Sequence, residues 1–152
     1  MASKGIESMS DFLNKLNMVS MSKTDARMMN PLKLAFLGDA IYEAYIRYYI
    51  ISKHVLTTSE MSKMAVKYVN AEAQAYIVTV LKDEFTEDEW NMLKRGRNQK
   101  TGSRPKHASV SDYRYATGFE SLLGYLYVLD EKDRIYEIVG MAIDAIDRKE
   151  TL

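Results

Sequence analysis

Leu34-Ala35-Phe36-Leu37-Gly38-Asp39-Ala40 and, about eighty residues further on, Phe119-Glu120-Ser121-Leu122-Leu123-Gly124 decide how this chain is read. Each stretch sets one carboxylate beside or near a glycine in an apolar run with helical spacing. A charge among core side chains costs several kcal/mol unless a metal, a cation or a hydrogen-bond network compensates it. One such residue is usually a salt bridge or a cleft edge. Two in similar contexts suggest a shared metal site.

Working outward, almost every segment has the spacing of a helix. Asn30-Pro31 is an N-cap followed by proline at the first helical position. Leu34, Leu37, Ile41, Tyr45 and Tyr48 then recur every three or four residues, which predicts a helix over 31–53. Thr57-x-x-Glu60 and Thr86-x-x-Glu89 fit capping boxes. The first opens a helix with Met61, Met64, Ala65, Tyr68 and Val69 on one side. The second opens a short helix expected to stop near Gly96. A helix over 71–82 lies between them. Ser111-Asp112 is the expected start of the helix carrying Phe119, Leu122, Leu123 and Leu126, and a last helix runs over 132–148. No segment shows sustained two-residue alternation, so the fold class is all-α. Residues 96–110 form a loop long for a compact domain, and such loops tend to carry function. In residues 1–29, Phe12, Leu13 and Leu16 hint at one short amphipathic helix.

The chain has 152 residues, 47% of them hydrophobic and 28% charged, which is the composition of one globular domain. No apolar stretch approaches the roughly 20 residues of a membrane span. Residues 1–10 lack the apolar core of an export signal. There are no cysteines, which excludes disulfides and thiolate metal sites and points to the cytoplasm. The formal net charge of zero conceals segregation: residues 94–107 hold six cations and no acid, and residues 83–89 hold five acids and no cation.

The chemistry available is correspondingly narrow. Asp39 and Glu120 offer hard oxygen ligands, and Glu43, one turn from Asp39, is a third candidate. Oxygen-only ligation suits Mg²⁺, with Mn²⁺ as a substitute, and a hard cation so held drives phosphodiester hydrolysis. On spacing alone a second reading stays open, in which Asp39 pairs with a lysine or arginine of another helix and Glu43 with a neighbouring cation. Two histidines, His54 and His107, make neither a metal cluster nor a nucleophile–base pair. No phosphate-binding glycine motif is present. Lys63, Lys67, Asn70 and Gln74 fall at intervals of four, three and four, and so predict one polar stripe suited to phosphate contacts. With the loop cations Lys94, Arg95, Arg97, Lys100, Arg104 and Lys106, and with Asn98 among them, the stripe points to an anionic polymer. The loop lacks aromatics for stacking single-stranded bases, so double-stranded RNA fits better.

Leu-Ala-Phe-Leu-Gly-Asp-Ala resembles the signature of the ribonuclease III catalytic domain, and Phe-Glu-Ser-Leu-Leu-Gly-Tyr-Leu resembles its second acidic helix. The resemblance is closer to the short Mini-ribonuclease III branch, which has no double-stranded-RNA-binding domain. Its hallmarks are matched by Leu93-Lys94-Arg95-Gly96-Arg97-Asn98, by Pro105-Lys106 and by Tyr113-Arg114-Tyr115-Ala116-Thr117. The resemblance spans residues 31–128. It implies an all-helical homodimer, a catalytic domain over 30–152, and cleavage of double-stranded RNA with Mg²⁺ to leave 5′-phosphate ends. It further implies a role in trimming the stem of precursor large-subunit (23S) ribosomal RNA, and the catalytic carboxylates fall on Asp39 and Glu120. Two positions depart from the ribonuclease III pattern: Ala35 and Thr117 stand where that family usually has acids. A rival expectation is a non-catalytic RNA-binding ribosome-assembly factor on the same scaffold; retention of both carboxylates argues against it.

Overall fold

Capping residues set the helix boundaries, and packing around one buried helix sets the rest. The computed structural model describes residues 9–100 and 109–151. Among them run eight α-helices and no strand: α1 (Met9–Lys15), α2 (Lys23–Met28), α3 (Pro31–Lys53), α4 (Thr58–Val69), α5 (Ala71–Leu81), α6 (Glu87–Arg97), α7 (Val110–Val128) and α8 (Lys132–Glu150). None of these helices is long and apolar enough to cross a membrane.

The Asn30 side chain accepts from the Leu32 amide at 2.9 Å and Pro31 opens α3, as the sequence predicts. Thr57 caps α4 by accepting from the Glu60 amide. The full reciprocal box forms at α6, where the Thr86 amide donates to Glu89 and the Glu89 amide donates to Thr86. One boundary differs from expectation, and one expected terminator has another role. Helix α7 starts slightly early, capped by Ser109, two residues before Ser111; the Ser109 hydroxyl accepts from the Asp112 amide. Helix α6 continues through Gly96 to Arg97 and is capped by Asn98. Gly96 is a packing residue: a Cβ there would meet the Ser121 hydroxyl at 2.4 Å.

Helix α7 runs through the centre. From Ala116 to Leu126 every residue except Glu120 is buried, the mark of a helix surrounded by others. It packs against α3, α5, α6 and α8. Phe119, Leu122 and Leu123 are fully buried against Leu34, Ile46, Ile77, Leu93 and Ile138. The Phe119 ring meets Tyr42 of α3 edge-on at 5.3 Å. The described residues before Asn30 hold two short helices rather than one; Ala26 of α2 is fully buried.

The α3–α7 crossing is the tightest contact and explains the two glycines. A Cβ on Gly38 would lie 1.8 Å from the Glu120 carbonyl oxygen, and one on Gly124 would lie 1.9 Å from that of Leu34. The two backbones therefore touch at reciprocal points where no side chain fits.

Candidate active site

That crossing brings the two acids of the opening motifs together. Asp39 follows Gly38 on α3, and Glu120 supplies the carbonyl that Gly38 admits. Asp39 is exposed and Glu120 half-buried, and their carboxyl groups share a hydrogen bond. Burial pushes the Glu120 carboxyl up to about 9, the hydrogen bond and charge of Asp39 push in the same direction, and the charge of Glu43 adds to them. The Gln74 amide is the one group acting to keep Glu120 charged. The groups acting on Glu120 thus include two further carboxylates and no cation, so at neutral pH Glu120 keeps its proton. Burial also raises the Tyr42 phenol beneath it, and Glu120 reinforces the shift. Tyr42 donates to the Tyr68 carbonyl at 3.0 Å, which fixes its ring under the site.

Glu43 lies on the same side but accepts from Arg47 at 2.9 Å. Among the described residues no group of three or more His, Cys, Asp or Glu side chains converges. The oxygen ligands at the crossing are the two carboxylates, with the Gln74 amide beside them as a hydrogen-bond donor to Glu120. Such a set fits a hard, hydrated divalent cation, whose charge would let both carboxylates ionise together.

The expected polar stripe does not form as one face. Asn70 ends α4 and caps α5, its side chain accepting from the Ala73 amide at 2.7 Å. Its extended backbone resets the helical phase, so Gln74 turns inward and is only 2% exposed. Gln74 therefore belongs to the carboxylate pair and not to a solvent-facing groove. Lys63 and Lys67 do lie exposed on α4, with Lys67 3.6 Å from Glu150.

The loop cations divide in the same way. Arg95 turns back to donate to the Arg27 and Met29 carbonyls, tying α6 to the end of α2. Arg97 donates to Asn98 at 3.0 Å and lies 5.5 Å from the Tyr115 ring centre. Lys94 is half-buried and Lys100 exposed, while Arg104 and Lys106 fall outside the described residues. One residue that spacing did not single out joins this group. Arg114 lines, with Arg97, Asn98 and Tyr115, a hollow of about 350 Å³ at the start of α7.

A second exposed surface flanks the acids. Phe36, Ala40, Ala44, Tyr48 and Ile51 recur every three or four residues along α3 and all face solvent, Phe36 85% and Tyr48 71% exposed. This apolar face begins one turn before Asp39.

Comparison with known proteins places these features in context. Residues 32–131 match the family described as Ribonuclease III domain. A Mini-ribonuclease 3 from Clostridium tetani is 45% identical over 124 residues, covering 81% of this chain and 82% of that protein. One from Brevibacillus brevis is 46% identical over 123 residues, covering 81% of this chain and 92% of that protein. The crystal structure of a Fusobacterium nucleatum protein matches with a TM-score of 0.70 at 32% identity, covering 79% of this chain and 96% of that chain.

Proposed function

This chain belongs to the ribonuclease III family, in its Mini-ribonuclease 3 group, and on that premise we propose that it is a Mg²⁺-dependent endoribonuclease cutting double-stranded RNA. Mn²⁺ can take the place of Mg²⁺. The observation that carries this reading is the meeting of Asp39 and Glu120 at the Gly38–Gly124 crossing. When bound, the cation supplies a polarising charge for the scissile phosphate and a source of hydroxide at neutral pH.

The chain's own part is positional. Asp39 and Glu120 present their oxygens from two helices locked backbone to backbone, so neither depends on a mobile loop. With a cation bound, Glu120 would release its proton to solvent and both carboxylates would hold the ion. Glu43, committed to Arg47, acts on the pair through its charge. RNA is gripped by cations on either side: Lys63 and Lys67 with the cap residue Asn70 on α4, and Lys94, Arg97, Asn98, Lys100, Arg104 and Lys106 with Arg114 around the basic loop. Arg95 supports this surface by holding α6 against α2. Cuts leave 5′-phosphate and 3′-hydroxyl ends. The substrate is the base-paired stem of precursor 23S ribosomal RNA, and the enzyme works in the cytoplasm.

The protein acts as a homodimer. The apolar face of α3 is a continuous exposed stripe on the helix that carries Asp39, which a second copy of the same surface would cover symmetrically. The dimer then sets two carboxylate pairs in a fixed relation, one for each strand of a duplex.

The test is cleavage of a labelled duplex RNA with and without Mg²⁺, by wild type, Asp39→Asn and Glu120→Gln. Metal-dependent cutting, reduced more than about hundredfold by either substitution with RNA binding retained, is the expected result. That loss exceeds the 10–100-fold range typical of residues that only support a metal site. Salt-sensitive RNA binding without cleavage by wild type would instead favour the non-catalytic assembly factor.

A further inference from the structure

Gln74 of α5 is 2% exposed, and its side chain meets two different parts of the molecule. Its Nε2 donates to the Val69 carbonyl at 2.8 Å. A carbonyl can only accept, so this bond fixes which end of the amide is nitrogen. An amide nitrogen carries two hydrogens, and the one that Val69 does not take is left for the contact with Glu120. Oε1 has no partner, alone among the buried side-chain nitrogens and oxygens of the described residues. A leucine here would strand no oxygen, so the fold by itself does not call for glutamine. The amide acts through its N–H side.

That side is anchored on the end of α4. The last carbonyls of a helix have no partner within it and must find one elsewhere. Tyr68 and Val69 are the last two residues of α4. The Tyr42 hydroxyl donates to the first of these carbonyls at 3.0 Å, and Gln74 donates to the second. Both of these side chains also neighbour Glu120. The Thr117 and Ser121 hydroxyls of α7 donate to backbone carbonyls instead. No cation acts on Glu120, which leaves the Gln74 N–H as its donor.

We propose that Gln74 is a positioning residue of the nuclease, whose second N–H, anchored through Val69 to the end of α4, holds the Glu120 carboxyl turned towards Asp39. A carboxyl oriented before the cation arrives binds it more tightly than one free to rotate. The break at Asn70, which turns α5 inward, is what brings the amide there. This inference rests on the nuclease reading of the Asp39–Glu120 pair and adds to it a residue that neither carboxylate motif contains.

The experiment is a Mn²⁺ titration of RNA-free protein followed by electron paramagnetic resonance. It compares wild type, Gln74→Leu, Glu120→Asp, the double variant and Asp39→Asn. Gln74→Leu removes the donor, keeps a helix-forming side chain of similar size, and is expected to weaken Mn²⁺ binding about tenfold. The Mg²⁺ concentration for half-maximal cleavage should rise in step. Glu120→Asp shortens the carboxylate by one methylene and draws it away from Gln74. Adding Gln74→Leu to that background is therefore expected to change the affinity by less than about twofold. Unchanged Mn²⁺ affinity in Gln74→Leu, with only a lowered melting temperature, would overturn the proposal and leave the carboxylate pair standing. An equal loss on both backgrounds would also overturn it, because the amide would then act without Glu120. If Gln74→Leu does not fold, Gln74→Met, which keeps the unbranched shape, is read by the same criteria. Equal Mn²⁺ binding by wild type and Asp39→Asn would overturn the reading of the pair itself and this inference with it.

Discussion

Two glutamates on inward-facing helix positions, Glu89 and Glu120, have opposite surroundings. Glu89 of α6 is 5% exposed and accepts from Arg134 Nε at 2.8 Å, from Arg134 Nη2 at 2.9 Å and from the Thr86 amide at 2.9 Å. Burial alone would raise its carboxyl, but those donors outweigh it and hold the group below the usual carboxylate range. Glu120 of α7 meets Asp39 and the charge of Glu43, and its carboxyl is driven up to about 9. Glu89 is thereby built into the fold, joining α6 to α8 and closing a capping box. The surroundings of Glu120 do nothing for stability. Side chains arranged against local stability mark where function has set the arrangement.

The contrast can be broken most forcefully at Glu89. Arg134→Met leaves that carboxylate buried without its cation and should lower unfolding stability by about 3 kcal/mol, read as a shift in urea midpoint. Cleavage at saturating Mg²⁺ should persist, because α8 carries no site residue. Loss of cleavage in a variant still folded would show that the two glutamates are not separate systems.

A smaller, graded effect comes from pH, and the two groups predict opposite slopes. Folded Glu120 holds its proton to about pH 9, whereas the unfolded group releases it near 4.3. Between those values the folded state binds more protons, so the contribution of Glu120 is present at low pH and fades as pH rises towards 9. Glu89 is depressed when folded, so its contribution is present above the unfolded value and lost on acidification. Melting curves in a chelating buffer should therefore decline from neutral pH towards 9 in wild type and flatten in that range when Glu120 is made Gln. A flat wild-type profile would mean that the carboxylate pair is not strained.

The parts legible in the sequence are those decided by near neighbours. Asn30-Pro31 and Thr86-x-x-Glu89 announced α3 and α6 because caps are local hydrogen bonds. Asp39 and Glu120 stood out because a charge inside an apolar helical run needs a partner. What the sequence did not show was set by contacts across the fold. Gly96 looks like a helix terminator, yet it admits Ser121 of α7. Arg95 reads as a loop cation, yet its guanidinium is spent on backbone carbonyls of residues 27 and 29. Counting through Asn70 as though the helix continued puts Gln74 on a polar face. Asn70 is itself a strong cap residue, and taking it as a break would have turned Gln74 inward. The glycines beside both acids were visible, but their reciprocal fit at one helix crossing is a tertiary fact.

The most direct test of the account is Glu120→Gln, with melting temperature in chelator at pH 8 and Mg²⁺-dependent duplex cleavage measured on one preparation. The predicted result is a protein that melts higher than wild type and no longer cuts, because the substitution removes a carboxylate that function needs and the fold does not. A variant that melts lower than wild type, or that cuts at the wild-type rate, would contradict it.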